Sequence, residues 1–209
     1  FQGKPHQLGL TEPARHNAIH GLVEWVPWRK VAQTADSVTL ECLVAAQAGY
    51  PWPVLLRTHW SVGAGGLRVR HEATNLGSEP CPFGLGVHPY VRLGNGPVDD
   101  LLLQVPASSQ LLVDGRMLPI GAAKVAGGDL DFTQLRRIGT TVLDTAFGDV
   151  PDDPAGSAVT LANEDNQSVR VCADAGFRWW QLYSGDTLGS ERVRRAVAES
   201  AAVRTAVGA

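Results

Sequence analysis

The chain has 209 residues, of which 44% are hydrophobic and 19% charged, and its formal net charge is −3 at pH 7. This length and hydrophobic content exclude a disordered chain and are enough for one domain with a substantial core. The small net charge, without a long basic run, argues against a nucleic-acid or anionic-membrane partner. The 23 glycines and 13 prolines exceed the usual combined share of about 12% and favour a turn-rich β fold.

The first half of the chain contains several segments with the two-residue periodicity of β-strands. We predict a strand end near Leu8 and Leu10, a half-buried strand over Val38–Val44 and a second strand over Val54–Val62. The glycines at 63, 65 and 66 predict a hairpin turn into a strand over Leu67–Asn75. We place His71 on the polar face of that strand, in solvent. A further strand is predicted over Phe83–Val91.

The second half continues the β pattern, with two helical exceptions. Asp131–Arg137 is predicted as a short helix, and Ala158–Ala162 with Ser168–Cys172 as a hairpin. An aromatic strand is expected over Phe177–Tyr183. Near the C-terminus, Val193, Val197 and Ala201 have i, i+4 spacing, which predicts a weak helix with Ser190 as its N-cap.

Three widely spaced cysteines, Cys42, Cys81 and Cys172, form no C-x-x-C pair. This spacing argues against a zinc cluster, and the odd number argues against a disulfide scaffold. We therefore expect three small buried side chains in a reducing compartment and a cytoplasmic location. No apolar stretch approaches the ~20 residues of a membrane span, and the N-terminus has no signal-peptide core.

His88 is the histidine whose local sequence most favours a chemical role. It lies in Gly84-Leu-Gly-Val-His-Pro-Tyr90, where the glycines leave room for a ligand and Pro89 fixes the backbone. Imidazole is suited to proton transfer near neutral pH. A functional role and a structural one are equally supported by this segment. For His20, in a loop before Gly21, local sequence favours a structural role.

The candidate carboxylates and aromatic residues each have a plausible structural role as well. Asp144 follows an apolar pair, where a turn cap is favoured over a ligand acceptor. Glu199 is the only carboxylate in the last 11 residues, and its local pattern favours an exposed helical position. Trp179 and Trp180 are expected on opposite faces of one strand, so one of them is expected in the core and the other could face a cleft.

Four segments together resemble the aldose 1-epimerase (galactose mutarotase) family. They are Asn17–Leu22 with Trp25 and Trp28 following, Gly86–Tyr90, Leu143–Phe147, and Trp180–Asp186. The resemblance extends from residue 1 to about residue 198. It implies a large antiparallel β-sandwich of the galactose mutarotase-like type, with the sugar in an open cleft on one sheet face. We expect one domain over residues 1–209 that is incomplete at both ends relative to the family and lacks some terminal strands.

The resemblance also implies a role for individual residues. His88 matches the general acid that protonates the ring oxygen of the pyranose, and Glu199 falls where the general base is expected. His20, Asp144 and Gln181 match the residues that bind the sugar. The implied activity interconverts the α and β anomers of aldohexoses such as galactose or glucose, without a metal or organic cofactor. The expected partner is a small-molecule sugar, and the expected state is a monomer or weak dimer.

Two departures from the family pattern leave alternatives open. Glu199 is followed by Ser200-Ala-Ala-Val instead of a proline-rich stretch, and an Asn-Arg pair of the family would fall before residue 1. A carbohydrate-binding relative without catalysis, or an inactive fragment of the same fold, therefore remains an alternative to the enzyme. A sugar-phosphate epimerase would need convergent Arg or Lys side chains at the cleft, which the sequence does not locate.

Overall fold

The computed structural model describes residues 1–151 and 157–185 with their side chains, and the backbone of residues 197–207. In these ranges the regular structure is almost entirely β-strand, with two 3-10 helices of three residues each, Pro13–Arg15 and Val98–Asp100. Each strand pairing with a described register is antiparallel. The predicted all-β antiparallel fold is therefore confirmed. No helix in these ranges is long and apolar enough to cross a membrane.

The chain divides into two compact units. Phe1–Phe83, with the chain from Arg204 onward, forms unit 1, and Gly84–Val203 forms unit 2. The expectation of a single domain stays a prediction.

Unit 1 is built on a four-stranded antiparallel sheet whose strands follow chain order. The strands are β1 (Arg29–Gln33), β2 (Ser37–Val44), β3 (Val54–Gly63) and β4 (Gly66–Asn75). The predicted strands at 38–44, 54–62 and 67–75 are confirmed. The predicted hairpin turn is confirmed as well, since Gly63 pairs with Gly66 and Gly66 has φ +100°, a conformation that glycine adopts without steric cost.

One face of this sheet is packed and the other is charged. Val44, Val54, Leu56 and Cys81 are buried together on the packed side. On the opposite face, Glu41 accepts hydrogen bonds from Arg57 Nε at 2.8 Å and from Arg29 Nη2 at 2.6 Å. The hydrogen bond from Arg57 is the largest cause of a lowered pKa of the Glu41 carboxyl, and the hydrogen bond from Arg29 lowers it further. The alternation of apolar and polar residues in β2 thus corresponds to its two faces.

His71 lies on the packed side of β4, so its predicted position on the polar face is wrong. Val69, His71 and Ala73 alternate as the less exposed residues of β4, because residues two apart point to the same face of a strand. The partner of His71 on β3 is Thr58, which is buried. Burial lowers the pKa of the His71 imidazole.

Unit 2 contains two antiparallel sheets. The six-stranded sheet has the order β5-β14-β13-β10-β7-β8, and the four-stranded sheet has the order β12-β11-β6-β9. The strands are β5 (Cys81–Val87, which starts in unit 1), β6 (Leu102–Gln104), β7 (Ser109–Val113), β8 (Pro119–Lys124), β9 (Arg136–Arg137), β10 (Asp144–Gly148), β11 (Ser157–Ala162), β12 (Ser168–Ala173), β13 (Trp179–Tyr183) and β14 (Val197–Val207, which ends in unit 1).

The two sheets of unit 2 enclose one hydrophobic core, which makes this unit a β-sandwich. Phe147 of β10 and Trp180 of β13 are 1% and 0% exposed, and they pack with Leu103 and Leu161 of the facing sheet. Trp180 also donates a hydrogen bond from Nε1 to Ser157 Oγ at 3.0 Å. The inward side chains of β10 and β13 thus pack in the core, and the alternate side chains of these two strands lie on the outward face of the sheet.

Four local predictions differ from the structure. No strand forms at Leu8–Leu10, and β5 ends at Val87 rather than residue 91, two residues before a proline that cannot donate a ladder hydrogen bond. Cys172 is exposed, whereas Cys42 and Cys81 are buried as expected, and all three thiols are free.

The fourth difference is that residues 131–137 are not helical. The Asp131 carboxylate accepts hydrogen bonds from the Gly127 and Thr133 amides at 2.9 and 3.1 Å. Such side-chain-to-backbone bonds compete with helix formation. They stabilise a loop that ends in the short strand β9. The predicted hairpin near residues 158–172 is confirmed as β11 and β12.

We predict that part of the acid sensitivity of the fold comes from His71. Because its pKa is lowered in the folded state, the unfolded chain, with an ordinary histidine pKa of about 6.5, takes up a proton at this side chain first. The stability that neutral His71 contributes is present above pH ~6.5 and is lost as the pH falls toward its lower folded pKa. The variant His71→Gln should therefore lose less thermal stability than the wild type between pH 7.5 and 5.0.

The matched control is His59→Gln, on the opposite, exposed face of β3, where His59 Nδ1 is hydrogen-bonded to Thr39. Melting temperatures across the pH range for the three proteins make the comparison. Identical pH dependence in wild type and His71→Gln would contradict the assignment.

Candidate functional site

Asp144 and Gln181 are in direct contact on the outward face of the six-stranded sheet. Gln181 Nε2 donates a hydrogen bond to Asp144 Oδ1 at 2.8 Å. The two residues lie on β10 and β13, the central strands of the sheet, where Asp144 pairs with Tyr183 and Ala146 pairs with Gln181. They are therefore diagonal cross-strand neighbours on one face. A carboxylate and an amide in this arrangement present several hydrogen-bonding groups to a polar ligand.

Two hydrogen bonds from the end of β13 fix the backbone immediately before Asp144. The Ser184 amide donates to the Leu143 carbonyl at 2.9 Å, and the Leu143 amide donates to Ser184 Oγ at 2.9 Å. Ser184 and Leu143 are 1% and 3% exposed, so these bonds form away from water. Gly185 follows with φ +81° and turns the chain out of the strand. We call this pair of bonds the Ser184 clamp.

Alternation along β13 divides its side chains between the core and the outward face. Trp180 and Leu182 are buried, while Trp179, Gln181 and Tyr183 are less buried and lie on the outward side. The expectation that Trp179 and Trp180 occupy opposite faces is confirmed. The outward face of the central strands therefore combines aromatic, amide and carboxylate side chains.

His88 directly follows β5 and is exposed. In β5 the less exposed Leu85 and Val87 alternate with the exposed Gly84 and Gly86. In the sheet order, β14 separates β5 from β13, and strand spacing of about 4.8 Å places β5 and β13 about 10 Å apart. The structure thus places His88 at the end of a strand in the same sheet as Asp144 and Gln181.

The backbone of Glu199 lies in β14 as the register partner of Gln181. The helix predicted around residues 193–201 is therefore wrong for residues 197–201, where pairing with β13 overrides a weak local pattern. The Glu199 side chain, and the predicted N-cap Ser190, lie outside the described residues. Asp144, Gln181 and the Glu199 backbone consequently occupy three successive strands, β10, β13 and β14.

His20 belongs to unit 1, in the loop that precedes β1. His20 and Gly21 both have positive φ, +59° and +72°, which marks a tight turn in the left-handed region. The loop is supported at its start, where Asn17 Nδ2 donates to Glu12 Oε2 at 3.2 Å and the two backbones form an antiparallel bridge. The His20 side chain is exposed.

In the part of the chain that the structure describes, neither a metal cluster nor the interior cavity of unit 2 provides an alternative site for a polar ligand. Among the described residues, no three His, Cys, Asp or Glu side chains are grouped to hold a metal ion. A cavity of about 20 Å³ between the two sheets of unit 2 is lined mainly by aliphatic side chains such as Val98, Leu103 and Leu161. A site for a polar small molecule needs convergent hydrogen-bonding groups, which the outward face supplies instead.

Ser184 and Gly148 are the site residues that sequence reasoning missed. Ser184 lies within a segment that pointed to the family, but a serine after a strand normally suggests only a turn. Gly148 lies four residues after Asp144, on the same face of β10, and the Trp179 ring packs over it. The two-residue periodicity of β10 could have indicated that these positions share a face.

We predict that Ser184→Ala destabilises unit 2 by about 1–3 kcal/mol, because it leaves the buried Leu143 amide without its acceptor. Urea unfolding measures the loss, and hydrogen exchange should show faster exchange at the Leu143 amide. The control is Ser168→Ala, at an exposed position of β12. Wild-type stability and wild-type exchange in Ser184→Ala would contradict a role for the clamp.

Comparison with known proteins places the chain in a family. The family model for aldose 1-epimerase matches residues 1–205. The protein YihR of Escherichia coli strain K12, described as uncharacterized, is 34% identical over 189 residues. This match covers 90% of the chain and 60% of YihR, so the chain spans about 60% of the length of this relative.

Solved structures share the fold. A galactose mutarotase-like protein from Clostridium acetobutylicum has a TM-score of 0.78 at 14% identity, over 96% of this chain and 63% of that one. The galactose 1-epimerase from Lactobacillus acidophilus has a TM-score of 0.66 at 22% identity, over 85% of this chain and 58% of that one. The sandwich is therefore of the galactose mutarotase-like type, and the chain belongs to the aldose 1-epimerase family.

Proposed function

We propose that the protein is an aldose 1-epimerase that interconverts the α and β anomers of aldohexoses such as galactose or glucose. The observation that carries the proposal is the hydrogen-bonded pair of Asp144 and Gln181 on the outward face of the central strands, with the Glu199 backbone opposite Gln181. Galactose is the first sugar to test, because one protein that shares the fold is a galactose 1-epimerase.

The proposed reaction is acid–base opening and reclosure of the pyranose ring. His88 donates a proton to the ring oxygen while Glu199 removes the proton from the C1 hydroxyl, so that the bond between C1 and the ring oxygen breaks and a C1 aldehyde forms. Rotation about the C1–C2 bond turns the other face of the carbonyl toward the C5 hydroxyl. Reclosure exchanges the two roles: His88 takes back the proton and Glu199 returns one to the C1 oxygen.

The sugar hydroxyls would be held by Asp144 and Gln181. The Asp144 carboxylate accepts hydrogen bonds, and Gln181, which already donates one N–H to Asp144, retains its carbonyl oxygen and second N–H for hydroxyl groups. His20 has the role implied by the family resemblance, a hydrogen bond to the sugar near its ring oxygen. Because the Ser184 clamp fixes the strand at Asp144, this carboxylate is positioned before the sugar binds.

The reaction as proposed needs proton transfer alone, and its groups are an imidazole and a carboxylate. We therefore propose no metal or organic cofactor, a small-molecule sugar as the only required partner, and a monomer or weak dimer. A cytoplasmic location is proposed on the basis of the unpaired cysteines, which suit a reducing compartment.

One specific observation favours a second candidate function, a carbohydrate-binding protein without catalysis. Glu199 is followed by Ser200-Ala-Ala-Val, unlike the proline-rich continuation of the family. Such a protein would keep Asp144, Gln181 and His20 for binding while lacking an effective base.

We predict that the chain accelerates the change in optical rotation of freshly dissolved α-D-galactose. His88→Ala and Glu199→Gln should each lower kcat by at least about a hundredfold, the usual contribution of general acid–base catalysis. The matched control is His59→Ala, an exposed histidine on the sheet of unit 1, which should keep wild-type kcat.

The outcomes separate the two functions. A folded wild-type chain that binds galactose in calorimetry without accelerating mutarotation would reject the enzyme and support the binding protein. Unchanged kcat in His88→Ala would reject the assignment of the acid while leaving the activity itself in place.

A further inference from the structure

Trp179 lies on the outward face of β13, two residues before Gln181. It is only partly buried, whereas the neighbouring Trp180 is 0% exposed in the core. The register of β10 with β13 is described as far as Phe147 opposite Trp180. Gly148 is the next residue of β10, and the Trp179 ring lies against it. The indole is therefore an outward aromatic surface in the same row as the Asp144–Gln181 pair.

Gly148 allows the indole to lie directly against β10. A Cβ atom at this position would lie closer than 3.0 Å to three atoms of the six-membered ring, Cε3, Cζ3 and Cη2. A glycine at such a point is typical of a close approach between a ring and a backbone. The position of the Trp179 ring is thus set by the β10 backbone before any ligand binds.

The outward residues of β10 become smaller along the strand, from Asp144 through Ala146 to Gly148. Ala146 is opposite Gln181. At about 3.4 Å per residue, positions 144 and 148 are about 14 Å apart. The surface between them has a polar end at Asp144 and Gln181, a small side chain at Ala146 and an aromatic end at Trp179.

We propose that Trp179 is a substrate-positioning residue, whose partly exposed indole stacks on a C–H face of the pyranose while Asp144 and Gln181 hold its hydroxyls. The proposal rests on the proposed function, because it places the sugar on this face. A pyranose has a polar rim of hydroxyls and apolar C–H faces. Its hydroxyls match the polar end of the surface at Asp144 and Gln181, and a C–H face matches the aromatic end at Trp179. The indole of Trp179 carries no group for the proton transfers and stabilises the bound sugar in the ground state and the transition state alike.

The experiment uses the whole chain and measures the Kd for D-galactose by calorimetry, together with KM and kcat for mutarotation. Trp179→Leu should raise Kd and KM about threefold to tenfold, the range expected for loss of one aromatic stacking contact, with kcat nearly unchanged. Trp179→Phe should recover most of the affinity. Gly148→Ala, which keeps every polar group and displaces the ring, should weaken binding in the same direction.

Trp60→Leu is the matched control, since Trp60 is a 38% exposed tryptophan on β3 of unit 1. It should leave Kd and KM at wild-type values. Galactose should also change the tryptophan fluorescence of the wild type but not of Trp179→Leu, a readout that a purely structural role would not alter.

A Kd for Trp179→Leu within about twofold of wild type, or an equal Kd increase in Trp60→Leu, would overturn the proposal. Loss of binding in Asp144→Asn together with wild-type affinity in Trp179→Leu would reject stacking while the sugar site stands. Binding without mutarotase activity would reject the proposed catalysis alone, and Kd would still decide the role of Trp179. A wild-type chain that neither binds galactose nor acts on it would overturn both.

Discussion

The candidate site depends on the two hydrogen bonds between Ser184 and the backbone of Leu143. These bonds join the end of β13 to the residue before β10, and both residues are buried. A buried amide without an acceptor would cost more free energy than one hydrogen bond gains, so the two strands are strongly held in register at this point. The register determines that Asp144 and Gln181 become diagonal neighbours, and their hydrogen bond follows from it.

The core fully occupies the inward face of β10 and β13, so their polar and aromatic side chains lie on the outward face. Phe147, Trp180 and Leu182 are nearly inaccessible to solvent, which holds the central strands against the facing sheet. Side chains on central strands are positioned more precisely than side chains on loops. Trp179 and Gly148 extend the same arrangement, since the ring is held against the strand backbone. The buried side chains thus hold these strands in place. The polar and aromatic side chains on the outward face are ordered as a result.

Sequence periodicity predicted most of the strands, and the family resemblance identified Asp144 and Gln181, which the structure brings into contact. The errors have distinct physical causes. Hydrogen bonds from Asp131 to nearby amides replaced a predicted helix by a loop, and pairing with β13 replaced another by β14. His71 lies on the packed side because it continues the two-residue periodicity of Val69 and Ala73, although a polar ring suits a solvated face. Contacts between distant positions, such as Ser184 with Leu143 and Trp179 with Gly148, depend on register, which local sequence does not encode.

A crystal structure of the protein with D-galactose tests the central claim most directly. The account predicts electron density for a pyranose over Ala146, with hydroxyls within hydrogen-bonding distance of Asp144 and Gln181 and a C–H face against Trp179. Density for the sugar elsewhere, with the outward face of β10 and β13 occupied by solvent alone, would contradict it.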